Sequence, residues 1–97
     1  MRVISKRKLV EGWEDHSDLE TPLETWYRTA KHAEWKTPND VKTDYPSASI
    51  IKGNRMVFNI KGNDYRLIVK IKYEKQIIFI RFVGTHAEYD KVDAATI

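Results

Sequence analysis

Ninety-seven residues with a formal charge of +3, 41% hydrophobic side chains and three tryptophans suffice for one domain with its own core and leave no room for a second. The absence of cysteine excludes disulfides and thiolate metal sites and points to an intracellular protein. No stretch approaches the apolar length of a membrane span, the basic start MRVISKRKLV lacks the apolar run of a signal peptide, and the positive excess is compatible with a nucleic-acid partner without establishing one.

In chain order, Arg2, Val3 and Ile4 read as a short edge strand. Ser5 stands where an N-cap belongs, ahead of a helix over residues 6–15 with Leu9, Val10 and Trp13 on one side and Lys6, Lys8, Glu11 and Glu14 on the other. Thr21-Pro22-Leu23-Glu24 has the pattern of a capping box with proline at the first helical position. Leu23, Trp26, Tyr27, Ala30 and Ala33 follow at helical spacing, so the sequence predicts a helix over residues 22–34. His32 falls on its polar side and has no second ligand at metal spacing. Thr37-Pro38-Asn39-Asp40 is another start signal, for one or two turns ending before Tyr45-Pro46, because the residue before a proline disfavours the helical region.

From there the pattern turns extended. Residues 47–52 and 56–60 read as strands separated by a turn at Gly53-Asn54, and Lys61-Gly62-Asn63-Asp64 is a good hairpin turn. Two long strands follow, joined at Glu74-Lys75-Gln76. Successive side chains of a strand point to opposite faces. Tyr65, Leu67, Val69, Ile71 and Tyr73 therefore share one face against Arg66, Ile68, Lys70 and Lys72. In the next strand Ile78, Ile80 and Phe82 oppose Ile77, Phe79, Arg81 and Val83. Helices first and strands later make an α+β fold, two to three helices on one face of a small antiparallel sheet and a short C-terminal tail or helix. Met56, Phe58, Ile60, Leu67, Val69, Ile71, Ile78, Ile80 and Phe82 are expected on the packed face, and Asn59, Arg66, Lys70, Lys72 and Arg81 together on the other. An arginine in so apolar a strand as that of Arg81 calls for a carboxylate partner or a groove meant for an anion.

The sequence holds no glycine-rich phosphate loop, nucleophile elbow or metal-binding histidine pair, so no metal site is assigned among its residues. What remains is a basic sheet face ending in Gly84-Thr85-His86, then Glu88, Tyr89, Asp90 and Lys91. That set suits metal-free RNA cleavage, in which a ribose 2′-hydroxyl attacks its own phosphorus. The reaction needs a base, an acid and cations for the charge on the phosphoryl oxygens. His86 and Tyr89 are the proton-handling candidates, and Arg66 and Arg81 the phosphate clamps. The same residues serve equally well as a cap and packing groups at a strand end, and the pattern alone leaves both readings open.

The segments VFNIKGNDYRL at residues 57–67 and IRFVGTHAEYDK at residues 80–91 resemble the HigB family of bacterial toxins, part of the RelE-like group of type II toxin–antitoxin systems. The helical half agrees more loosely, through two helices and the segment ending in Tyr45-Pro46. The resemblance implies a RelE-like α+β domain over residues 1–97 and a cytoplasmic, bacterial, ribosome-dependent mRNA endoribonuclease that inhibits translation. It implies no cofactor. Its partners would be mRNA, the ribosome and a helix-turn-helix, HigA-like antitoxin, with no membrane and no DNA binding without that antitoxin. Arg66 and Arg81 match basic sheet positions of the family, and His86, Tyr89 and Asp90 match its Thr-His-x-x-Tyr-Asp corner. Asp90 would then orient His86 or pair with a cation. Lys52, Arg55, Asn59, Lys61, Lys70, Lys72 and Lys91 would hold the RNA, mainly through backbone charge. Two other classes stay open: a non-catalytic RNA- or ribosome-binding module, and a protein-interaction domain that docks an acidic partner.

Overall fold

The computed structural model describes residues 1–97. Its elements are β1 (Arg2–Ile4), α1 (Lys6–Asp15), α2 (Glu20–His32), α3 (Pro38–Asp44), β2 (Ser49–Ile51), β3 (Arg55–Ile60), β4 (Tyr65–Lys72), β5 (Ile77–Thr85) and α4 (His86–Tyr89). The strands form one five-stranded sheet in the order β1-β5-β4-β3-β2. The fold is α+β, as expected, and its sheet is mostly antiparallel. The exception is β1, which runs parallel to β5 and pairs only with its first three residues. Beyond Phe79 the outer edge of β5 has no neighbouring strand.

The helices follow their sequence signals with one shift. The bounds of α1 are those expected, and although Ser5 is extended, its side chain makes no cap bond. Thr37 and Asp40 form the reciprocal box ahead of α3: Asp40 N–H donates to Thr37 Oγ1 at 3.3 Å, and Thr37 N–H donates to Asp40 Oδ2 at 3.2 Å. The start of α2 is different. The chain already coils in a single 3-10 turn at Ser17–Leu19, and Leu19, fully buried, enters α2 with helical angles. The helix therefore begins at Glu20 and ends at His32, with Thr21 and Pro22 inside its first turn rather than acting as cap and first position. Proline fits there because the first N–H groups of a helix have no intrahelical acceptor.

Leu9, Leu23, Trp26 and Ala30 of α1 and α2 pack on Met56, Phe58, Ile60, Leu67, Val69, Ile71, Ile78 and Ile80 in one buried cluster. Trp26 meets Phe58 edge-on, with ring centroids 5.4 Å apart. The expected packed face is correct for β3 and β4 and fails at one residue of β5. Ile68 pairs with Phe82 and Val69 with Ile80, so Arg81 is an extra residue without a partner across the ladder. This bulge restarts the alternation. Arg81 and Phe82 both fall on the outer face, and Val83 turns inward in place of Phe82. There it packs against Gly12 of α1, where a Cβ would lie 2.8 Å from Val83 Cγ1.

The β3–β4 turn runs through Lys61 and Gly62, both with positive φ (53° and 66°), the backbone shape that suits a tight hairpin. The β4–β5 connection is a 3-10 turn at Tyr73–Lys75 closed by a left-handed Gln76.

Candidate active site and nucleic-acid interface

On the face away from the helices, the register aligns three rows across β3, β4 and β5. They are Arg55, Lys70 and Phe79; Val57, Ile68 and Phe82; and Asn59, Arg66 and Gly84. The middle row is apolar. Val57 and Ile68 are 2% and 0% exposed, yet they stand outside the cluster under the helices. The segment after α4 returns over this face, because a main-chain oxygen of Ile97 accepts from both Arg55 and Arg81. The sequence suggested one continuous basic surface. The structure has two polar regions on either side of an apolar strip.

The first region lies where Arg66 meets α4. Gly84 stands opposite Arg66, and a Cβ there would come within 2.7 Å of the Phe82 ring. The chain then enters α4 through a second reciprocal box: Glu88 N–H donates to Thr85 Oγ1 at 3.1 Å, and Thr85 N–H donates to Glu88 Oε1 at 2.8 Å. The Thr85 N–H, donating to the anionic form, is the main cause that holds the Glu88 carboxyl below its ordinary value. The single turn of α4 then aligns its side chains. His86 Nδ1 lies 3.1 Å from Asp90 Oδ2. The Arg66 guanidinium sits 5.8 Å above the Tyr89 ring centre and donates to the Asn63 carbonyl at 3.0 Å. His86 and Asp90 are exposed, and Arg66 and Tyr89 half-buried. Four of the five residues expected to do chemistry thus come together.

The fifth, Arg81, belongs to the second region. It shares a hollow of about 210 Å³ with Lys70, Lys72 and Phe79, and the Lys72 ammonium lies 5.9 Å from the Phe79 ring centre. Arg55 joins this group through its bonds to Ile97. A comparable hollow opens between α1 and the uncovered edge of β5, also against Arg81. Glu11 and Asp15 line it together with Lys8 and Arg81, so its charges balance, whereas the Lys70–Lys72 hollow carries cations alone and attracts a phosphate backbone.

The remaining expected RNA-binding residues divide. Asn59 faces outward beside Arg66, Lys52 is exposed in the β2–β3 turn, and Lys91 is exposed just after α4. Lys61 is committed elsewhere: its ammonium lies 2.7 Å from Asp18 Oδ2. The Tyr65 hydroxyl donates to the same carboxylate at 3.0 Å. These two bonds hold the Asp18 carboxyl below its ordinary value, and Asp18 in turn raises the Lys61 ammonium. The His16 ring lies tilted against the Tyr65 ring, centroids 5.2 Å apart, with its Nε2 3.7 Å from Glu88, so this network reaches the N-terminal end of α4. Sequence reasoning missed Asp18 and His16, whose partners lie more than forty residues away. It also missed Phe82 and Ile97 on the outer face.

Residues 19–92 match the model of the HigB_toxin family, described as the RelE-like toxic component of a toxin-antitoxin system. The chain is 32% identical over 92 residues to the mRNA interferase toxin HigB of Escherichia coli K12, covering 93% of this chain and 88% of that protein. It is likewise 32% identical to the mRNA interferase HigB of Shigella flexneri. It is 29% identical over 94 residues to the mRNA interferase HigB of Escherichia coli O6:H1, covering 95% of this chain and 91% of that one.

Proposed function

Because the chain belongs to the HigB family of RelE-like toxins, we propose that it is the toxin of a type II toxin–antitoxin pair and an endoribonuclease that cuts mRNA on the ribosome. Translation stops as a consequence. The observation that carries this reading is the convergence of His86, Asp90, Tyr89 and Arg66 at the edge of a basic sheet face. The relatives bear the name mRNA interferase, which fits the same chemistry.

In this mechanism Arg66 holds the scissile phosphate, its guanidinium supported by the Tyr89 ring. The ribose 2′-hydroxyl attacks phosphorus, the bond to the 5′-oxygen breaks, and a 2′,3′-cyclic phosphate and a free 5′-hydroxyl result. His86 moves the proton, and Asp90 fixes the imidazole through Nδ1 so that Nε2 is the reacting nitrogen. Arg81, with Arg55, Lys70 and Lys72, binds a neighbouring part of the RNA backbone. Lys52, Asn59 and Lys91 add contacts at the rim. The protein works in the cytoplasm, where mRNA and ribosomes are, and its antitoxin is a HigA-like helix-turn-helix protein.

The test is 5′-end mapping of a defined mRNA in a bacterial translation extract, with and without ribosomes, with the wild-type chain and with Arg66→Ala and Arg81→Ala. New ends that need ribosomes and vanish with Arg66→Ala support the reading. Intact mRNA with RNA retained on folded protein supports a non-catalytic RNA- or ribosome-binding module.

A further inference from the structure

Phe79 is a large apolar side chain on a basic surface. It belongs neither to the core cluster nor to the partly buried side chains packed on it, and it is itself partly exposed. In the ladder it stands opposite Lys70. It shares the hollow of about 210 Å³ with Lys70, Lys72 and Arg81, which is room for one nucleobase. None of these three cations has an acidic side chain as partner. The Lys72 ammonium lies 5.9 Å from the Phe79 ring centre, so a phosphate-binding group stands beside a base-binding face. An aromatic face among cations is the combination that holds single-stranded nucleic acid: the ring stacks a base, and the cations take the phosphates on either side. Along β4, Lys70 is about 13 Å of strand from Arg66, and the Val57–Ile68–Phe82 row lies between them. A base on Phe79 is therefore a few nucleotides from the cut.

We propose that the hollow over Phe79 is a subsite for one unpaired nucleobase of the bound RNA, stacked on the ring with its flanking phosphates on Lys72 and Arg81. This rests on the reading of the outer face as an RNA surface and adds a base contact to its backbone contacts. No carboxylate or amide lines the hollow to read a base edge, so the subsite takes any base, and purines, with the larger face, better than pyrimidines. Held there, the strand stays in register at Arg66 and His86.

The test is binding of an uncleavable 2′-O-methyl RNA oligonucleotide at low salt, followed by fluorescence anisotropy. The strand only just spans Arg66 and the hollow, so that it cannot slide, and a set of strands lacks the base at each position in turn. Phe79→Leu, which keeps the apolar bulk and removes the π-face, binds the intact strand about 5- to 10-fold more weakly. Its dependence of log Kd on log salt is unchanged, whereas Lys72→Ala lowers that slope by about 0.7, the loss of one phosphate contact. Phe79→Trp binds at least as tightly as the wild type. In the wild type one abasic position reproduces the loss, and in Phe79→Leu that position costs nothing further, because ring and base act as a pair. The abasic series on the wild type needs no variant, so a Phe79→Leu chain that fails to fold leaves the test intact. Equal affinity for every abasic strand, or an abasic penalty that persists in Phe79→Leu, overturns the base subsite and leaves the cleavage reading to the mapped 5′ ends. A wild type that binds no strand overturns the subsite together with the RNA surface it rests on.

Discussion

The imidazole of His86 and the carboxylate of Asp90 face each other across one turn of α4, with Nδ1 3.1 Å from Oδ2. The Thr85–Glu88 box sets the start of that turn, so the pair is positioned by backbone capping rather than by burial. If Asp90 acts through His86, His86→Ala lowers single-turnover cleavage by about 100-fold and Asp90→Asn by about 10-fold. The double variant is then no slower than His86→Ala alone, because the two residues act as one unit. Additive losses in the double variant would separate Asp90 from His86.

Tyr89 lies under the Arg66 guanidinium, and this contact needs the ring and not the hydroxyl. Tyr89→Phe therefore keeps cleavage within about 2-fold, whereas Tyr89→Ala loses about 3- to 5-fold, the scale of an exposed cation–π contact. Equal losses for Phe and Ala would make the hydroxyl a proton carrier.

Gly12 of α1 meets Val83 of β5 with no room for a side chain. A Cβ at Gly12 would stand 2.8 Å from Val83 Cγ1 and 3.2 Å from its Cβ. Gly12→Ala should cost about 1–3 kcal/mol in urea unfolding, and adding Val83→Ala should recover part of it. A neutral Gly12→Ala would contradict the inward placement of Val83 that follows from the bulge.

Stability should fall on the acid side through two carboxylates. Lys61 and Tyr65 lower the folded Asp18 carboxyl, and the Thr85 bonds lower that of Glu88. A depressed carboxyl contributes stability that is present above its unfolded value and lost as pH falls through its folded value, here below about pH 4. Lys61 is raised, so its share persists below its unfolded value and is lost only in strong alkali. Melting temperature measured against pH should therefore drop less steeply below about pH 4 in Asp18→Asn than in the wild type. The same acid slope in both proteins would remove Asp18 from the account.

Local signals made much of the fold legible. The bounds of α1, the box ahead of α3, the Lys61-Gly62 turn and the packed face of β3 and β4 all follow from periodicity and capping within a few residues. The Thr-His-x-x-Tyr-Asp corner was picked out through its residue types and the family resemblance, and the Thr85–Glu88 box that shapes it was missed although its Thr-x-x-Glu spacing is a local signal. The other failures are non-local. The bulge that turns Phe82 outward depends on how β5 meets β4 and leaves no mark in the sequence. Lys61 read as a free cation because Asp18 is far away in the chain. The separation of Arg81 from Arg66 by the Val57–Ile68–Phe82 strip required the register.

The claim that the outer face cleaves RNA through the ribose 2′-hydroxyl is tested most directly with a defined mRNA carrying one 2′-deoxynucleotide on the 5′ side of a mapped cut, translated in extract with the wild-type chain. The account predicts no cut at that position, unchanged cutting when the deoxy sugar sits a few nucleotides upstream, and a 2′,3′-cyclic phosphate end on the all-ribose product. Cutting of the deoxy message at the same place and rate would mean that water is the nucleophile, and would contradict the roles given to Arg66, His86 and Asp90.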